Sequence, residues 1–84
     1  MRYTVTWTEE ALHELADIWN KATDRSAVNY AANLIDPLLA TNPEARDVDF
    51  YGDRLYVIDP LQIIFTVSRD DLLVTVLHVW RVAP

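Results

Sequence analysis

The sequence predicts an α+β fold in which an N-terminal strand and a two-helix antiparallel hairpin pack on one face of a three- to four-stranded, mainly antiparallel sheet. Three observations predict it. The chain starts with a strictly alternating segment, two segments with helical periodicity follow, and the last third consists of apolar β-branched and aromatic runs separated by short polar turns. With 84 residues, 51% of them hydrophobic, the chain is expected to form one domain, residues 1–84.

The first predicted elements are a strand and a helix. In Arg2–Trp7 apolar and polar residues alternate, which is the period of a half-buried strand. Thr8 then offers an N-cap hydroxyl, so a helix is predicted from about Glu9 to Ala22. Its apolar residues recur at three- and four-residue spacing: Ala11, Leu12, Leu15, Ile18, Trp19 and Ala22.

A second helix is predicted after Asp24, which can act as its N-cap. Its apolar stripe consists of Ala27, Val28, Ala31, Leu34, Ile35 and Leu38. Pro37 lacks a backbone donor, so it either kinks this helix or allows one further turn, to Leu39 or Ala40. Because only a short segment separates the two helices, we expect them to be antiparallel neighbours.

The last third predicts a three-strand antiparallel meander. The strands are 54–58, 61–67 and 72–81, separated by turns at Asp59-Pro60 and at residues 68–71. Residues 44–52 are acidic and contain the only glycine, Gly52, which suits a loop or a short edge strand.

The middle strand of the meander predicts which sheet face is covered. One face carries Leu61, Ile63, Phe65 and Val67, and the other carries Gln62, Ile64, Thr66 and Ser68. The apolar face is expected to lie under the helices, so the more polar face is the candidate working surface.

Composition excludes several classes of function. The net charge of −6 is the opposite of what a phosphate-binding protein needs, so nucleic-acid binding would require a local patch. The lack of cysteine excludes a disulfide framework and a thiolate metal site. A single glycine cannot build a glycine-rich phosphate-binding loop. The first residues lack the pattern of a signal peptide, and no apolar run is long enough to span a membrane. We expect a cytoplasmic protein with no cofactor, no bound metal and no membrane contact.

Four segments together resemble the RelE/ParE superfamily of bacterial toxins. They are Trp-Thr-Glu-Glu-Ala-Leu at residues 7–12, Gly-Asp-Arg-Leu-Tyr-Val at 52–57, Ile-Ile-Phe-Thr-Val at 63–67 and Val-Leu-His-Val-Trp-Arg at 76–81. The resemblance covers nearly the whole chain and implies the toxin of a type II toxin-antitoxin, or plasmid stabilisation, system. It implies a cognate antitoxin partner and, as target, either DNA gyrase or the ribosome with its mRNA. A homodimer is left open.

The resemblance also suggests which residues contact the target. Arg54 falls on the strand that supplies basic residues in RelE-like toxins, and the last strand often ends in His- or Arg-rich motifs. Where those toxins carry further basic residues, this chain has Tyr56 and Gln62. The candidate catalytic residues are Arg54, His78 and Arg81, and the candidate target-binding residues are Tyr56, Gln62 and Trp80.

Simpler roles are open for the same residues. The two arginines could pair with surface acids such as Asp53 or Asp59, and His78 could be a half-buried histidine bonded to a neighbour. His13, beside Glu14 on the first helix, reads as part of a solvated face. Because basic residues are missing, the pattern favours a ParE-like or diverged member. The alternative function is a non-toxic protein-interaction module that keeps the fold and an antitoxin-like partner.

Overall fold

The computed structural model describes residues 2–41, 43, 48–50 and 52–82, the segment 48–50 through its backbone. The elements are strand β1 (Thr4–Trp7), helices α1 (Glu9–Lys21) and α2 (Arg25–Thr41), and strands β2 (Val48–Phe50), β3 (Asp53–Ile58), β4 (Leu61–Ser68) and β5 (Leu73–Arg81). They form a five-stranded sheet in the order β1-β5-β4-β3-β2. Among the described residues, no helix is long and apolar enough to cross a membrane.

The α+β prediction is confirmed, with the helix bounds correct to within one or two residues. Strands β3 to β5 form the predicted three-strand antiparallel meander, and β2 is the edge strand allowed for residues 44–52. Gly52, in the turn before β3, has φ +90°, a backbone conformation that residues with a Cβ atom rarely adopt. The sequence pattern did not predict the partner of β1, which runs parallel to β5 and extends the sheet to five strands.

Local hydrogen bonds define the helix ends. The Thr8 hydroxyl accepts from the backbone N–H of Ala11, which confirms the N-cap of α1. At the other end Arg25 donates to the carbonyls of Trp19 and Asn20, both at 3.0 Å. Its guanidinium also lies over the Trp19 ring, 4.6 Å from the ring centroid. Arg25 thereby adds donors to carbonyls in the last turn of α1, one of which also accepts the backbone N–H of Ala22, and it holds the turn between the helices.

The core lies between the helices and one face of the sheet. Residues paired directly across neighbouring strands share a face, and the register pairs Phe65 with Val76 and Ile63 with Val79. These four side chains are fully buried in one cluster. Both helices and the two strands β4 and β5 contribute its fully or almost fully buried members: Ala11, Val28, Ala31, Ile35, Leu39, Leu61, Ile63, Phe65, Val74, Val76 and Val79. The prediction that the face of Leu61, Ile63 and Phe65 is covered is therefore confirmed.

Helix α1 also lies along an edge of the sheet. Strand β1 ends at Trp7, so among the residues that the structure describes no strand lies beside the second half of β5 on that side. Thr8 partly fills the gap, because its N–H donates to Val76 O at 3.0 Å and its hydroxyl donates to Leu77 O at 3.1 Å. A β-bulge places Leu77 between the residues paired with Phe65 and Ile64. This geometry brings the side of α1 next to residues 78–80.

Candidate functional site

The open face of the sheet brings three of the predicted site residues together. Gln62 on β4 pairs with Trp80 on β5, and Ile64 pairs with His78. All four residues therefore project from the face opposite the helices. We call Gln62, His78 and Trp80, together with Glu14 of α1, the open-face site.

Two rings form the surface of the open-face site. His78 and Trp80 are stacked, with ring centroids 5.3 Å apart and an angle of 25° between the planes. Trp80 is 38% exposed, whereas Ile64, directly across from His78, is only 2% exposed. The site thus combines an accessible indole with an apolar base, an arrangement suited to packing against a flat or apolar group.

Glu14 on α1 holds both rings in place. Its Oε1 atom lies 3.2 Å from His78 Nδ1 and accepts the backbone N–H of Val79 at 3.1 Å. Its Oε2 atom accepts the indole N–H of Trp80 at 3.1 Å. The carboxylate and the imidazole are both partly shielded, with side-chain exposures of 25% and 33%. One carboxylate therefore ties three successive residues of β5 to α1, along the edge that β1 leaves uncovered.

Arg81 lies on the other side of the sheet. It pairs across the strands with Leu61, on the helix-covered face, and its Nη2 atom donates to Asp24 Oδ2 at 2.7 Å. This hydrogen bond lowers the pKa of the Asp24 carboxyl and raises the pKa of the Arg81 guanidinium. Arg81 thus joins the end of β5 to the start of α2. The alternative of an ion pair is correct for Arg81, although the partner is neither of the acids considered from the sequence.

Arg54 and Tyr56 are also separated from His78. Arg54 pairs with Phe65 and Tyr56 pairs with Ile63, so both lie on the helix-covered face. Tyr56 packs against the hydrophobic core. The structure therefore brings together Gln62, His78 and Trp80 and places the other three predicted site residues, Arg54, Tyr56 and Arg81, on the opposite face.

Comparison with known proteins identifies the fold. No protein-family model matches the chain, and no curated protein matches it in sequence. The RelBE2 toxin-antitoxin complex from Mycobacterium tuberculosis matches with a TM-score of 0.80 at 15% identity, covering 100% of this chain and 95% of that chain. The ParDE toxin-antitoxin system of P. aeruginosa matches with a TM-score of 0.76 at 18% identity, covering 98% of each chain. The isolated RelE toxin of E. coli matches with a TM-score of 0.60 at 18% identity, covering 98% of this chain and 86% of that chain.

The chain has the RelE/ParE toxin fold. The predicted resemblance is therefore confirmed at the level of the fold, over essentially the full length of the chain. The matching structures include both RelE and ParE toxins, so the fold leaves the choice of target open.

Within this RelE/ParE fold, one group of side chains has the composition of metal ligands. Donor atoms of Glu10, Glu14 and His78 all lie within 4.8 Å of one another. Carboxylate and imidazole groups are common metal ligands. However, the Glu14 carboxylate is already the acceptor for two N–H donors and contacts His78, and Glu10 is exposed. We therefore interpret Glu14 and His78 as members of a hydrogen-bonded network, with Glu10 exposed beside it.

Sequence reasoning missed Glu14, the residue that organises the open-face site. On a helical pattern Glu14 falls beside His13 on the polar side of α1, where an acid is usually solvated. Its partners are 64 to 66 positions further along the chain. No local signal links them, because the contact depends on β1 ending before β5 does.

Proposed function

We propose that this chain is the toxin of a toxin-antitoxin pair and that the open-face site is its target contact. The RelE/ParE fold supports the proposal, together with a sheet face on which the described helices do not pack. The observation that carries it is the open-face site itself. Its two stacked rings are fixed by hydrogen bonds to Glu14 and are not part of the core cluster, as expected for side chains kept for contact with another molecule.

An antitoxin partner is supported by the other side of the molecule. A groove of about 300 Å³ lies between α1 and α2, lined mostly by apolar side chains. Leu12 and Trp19 line it and are 51% and 37% exposed. The matching RelBE2 structure is a toxin-antitoxin complex. An amphipathic segment of an antitoxin could bury these side chains as a helix does in an apolar groove.

We further propose that the target is DNA gyrase. Cleavage of RNA needs a cation to stabilise the charge that develops on the phosphate. Among the strand residues described on the open face there is no lysine or arginine. The net charge of −6 also opposes binding to a polyanion. A protein surface is therefore a better match for the open-face site than a messenger RNA.

A non-toxic interaction module is the second candidate. The lack of lysine and arginine among the described strand residues of the open face supports this candidate, because a protein that has lost activity against RNA would show the same lack. This candidate keeps the groove between the helices and the antitoxin-like partner, and it has no effect on growth.

Induction of the gene in a bacterial host tests the proposal. We expect growth arrest, relieved when the neighbouring antitoxin gene is expressed together with it, and inhibition of gyrase in a supercoiling assay. The variants His78→Ala and Trp80→Ala should lose the effect, whereas Arg81→Ala, at the opposite face, should keep it.

Three other outcomes decide against parts of the proposal. Arrest with mRNA cuts in the ribosomal A site and unchanged supercoiling would make the chain a RelE-like nuclease. Arrest that persists in the His78→Ala and Trp80→Ala variants would remove the open-face site from the mechanism. Normal growth, with a partner still bound, would support the interaction module.

A further inference from the structure

Three nitrogen atoms of successive residues on β5 converge on the Glu14 carboxylate. They are His78 Nδ1, the backbone N–H of Val79 and the indole N–H of Trp80, at 3.2, 3.1 and 3.1 Å. The hydrogen bond from Val79 alone would satisfy the backbone N–H at the uncovered edge of β5. The other two contacts hold side chains on the open face, and they are not needed to satisfy the backbone at this edge.

The contact with Glu14 determines where His78 carries its proton. An ionised carboxylate can only accept hydrogen bonds, so His78 Nδ1 must be the protonated nitrogen when it faces Glu14. In the neutral imidazole Nε2 is then an acceptor. Nε2 makes no hydrogen bond within the part of the chain that the structure describes. The indole N–H of Trp80 is meanwhile bonded to Glu14.

We infer that Glu14 is a positioning residue of the open-face site, fixing His78 as the Nδ1–H tautomer in its stack with Trp80. The site then offers its target an acceptor, Nε2, beside an indole whose own N–H is engaged. The matching group on the target is an N–H donor, from a backbone amide, a lysine or an arginine. The role in target binding rests on the proposed function, whereas the tautomer is a property of the chain alone.

The tautomer is tested by NMR of the imidazole nitrogens in ¹⁵N-labelled protein at pH 7.5, with EDTA present so that no metal occupies His78. We expect the neutral imidazole of the wild type to carry its proton on Nδ1, with Nε2 unprotonated. Glu14→Ala should shift His78 towards the Nε2–H tautomer. Glu10→Gln is the matched control, because Glu10 lies one turn earlier on α1 and makes no hydrogen bond to the described residues. It should leave the spectrum unchanged.

Two results would overturn the inference. One is a neutral wild-type imidazole that carries its proton on Nε2, and the other is a Glu14→Ala spectrum identical to that of the wild type. If Glu14→Ala fails to fold, Glu14→Gln replaces it. It keeps one acceptor oxygen for Val79, but its amide can also donate, so the bias at His78 should still be lost.

The role in target binding needs a second measurement. We expect Glu14→Ala to bind gyrase about tenfold more weakly than the wild type, as for the loss of about one hydrogen bond, at a temperature at which circular dichroism shows both proteins to be folded. Equal binding by Glu14→Ala with an altered tautomer would overturn the role in target binding and leave the tautomer assignment intact. If the wild type binds no gyrase, the proposed target fails, and the NMR result still decides whether Glu14 positions His78.

Discussion

The two faces of the sheet differ in what holds their side chains in place. On the helix-covered face Phe65, Ile63 and Val76 are fully buried, and packing against α1 and α2 is enough to order them. On the open face His78 and Trp80 are partly exposed, and a single carboxylate on α1 orders them through hydrogen bonds. Packing therefore stabilises one face, whereas hydrogen bonds from the sheet edge organise the other.

The difference shows how one strand can serve stability and contact at once. In β5 the core residues are Val74, Val76 and Val79, a spacing of two and then three positions. The extra position is Leu77, at the β-bulge. Because of the bulge, His78 projects from the open face while its neighbour Val79 stays in the core and still donates its N–H to Glu14.

The strongest test of this comparison replaces neighbouring residues on opposite faces of β4. Phe65 is fully buried, so Phe65→Ala should reduce the free energy of unfolding by about 3–5 kcal/mol, from lost burial and the cavity left behind. Thr66→Ala, on the open face, should cost less than about 1 kcal/mol. Urea unfolding measures both. Similar losses would contradict the assignment of one packed and one open face.

This core could be predicted from the sequence because it follows local rules. The apolar residues of α1 and α2 repeat at helical spacing, and Leu61, Ile63 and Phe65 alternate with polar neighbours, so the buried side of each element can be read separately. The parallel pairing of β1 with β5 could not be predicted in this way, because it joins segments about 70 positions apart. The alternation of apolar and polar residues within each strand does not specify which strand is its partner.

A smaller effect should distinguish the two apolar environments. Ile64 is 2% exposed yet lies on the open face, outside the main core cluster. We expect Ile64→Ala to cost about 2 kcal/mol, the lower end for such changes, because a space at this surface can be filled by neighbours or water. Unfolding in urea again gives the value. A loss as large as that of Phe65→Ala would indicate that the open face has a core of its own.

The edge contact between α1 and β5 offers a third test. Thr8 accepts the N–H of Ala11 and donates to Leu77 O, so Thr8→Ala removes both the N-cap and one bond to the bulged strand. The expected cost is about 1–2 kcal/mol, measured by thermal unfolding. Thr23→Ala, at an exposed position between the helices, is the control and should have little effect. If the two variants lose the same stability, Thr8 does not cap α1.

The open-face site could be predicted only in part. Parity on β4 placed Gln62 on the working face, and the last strand drew attention to His78 and Trp80. Parity within one strand could not place Arg54 and Tyr56, because the register between β3 and β4 decides which face they share. The role of Glu14 could not be predicted, for a different reason. Its role depends on the relative lengths of β1 and β5 and on the helix that continues beyond the shorter strand.

The smallest expected effect concerns the ion pair between Arg81 and Asp24. The Arg81 hydrogen bond lowers the pKa of Asp24 in the folded state below the ordinary value of 3.8. A carboxyl whose pKa is lowered by folding stabilises the protein above its unfolded-state pKa, and this stabilisation is lost as the pH falls through the folded-state pKa. The free energy of unfolding of the wild type should therefore exceed that of Asp24→Asn by a constant amount at neutral pH.

Below pH 3.8 this difference should shrink, because the wild-type carboxyl becomes protonated while the Asn variant cannot titrate there. Chemical unfolding at a series of pH values measures it, with Arg81→Ala as the matched variant that removes the same contact from the other side. Since both side chains are partly exposed, solvent screening keeps the effect small. A difference that grows as the pH falls would contradict the assignment. It would mean that the carboxyl is protonated more easily in the folded protein than in the unfolded chain.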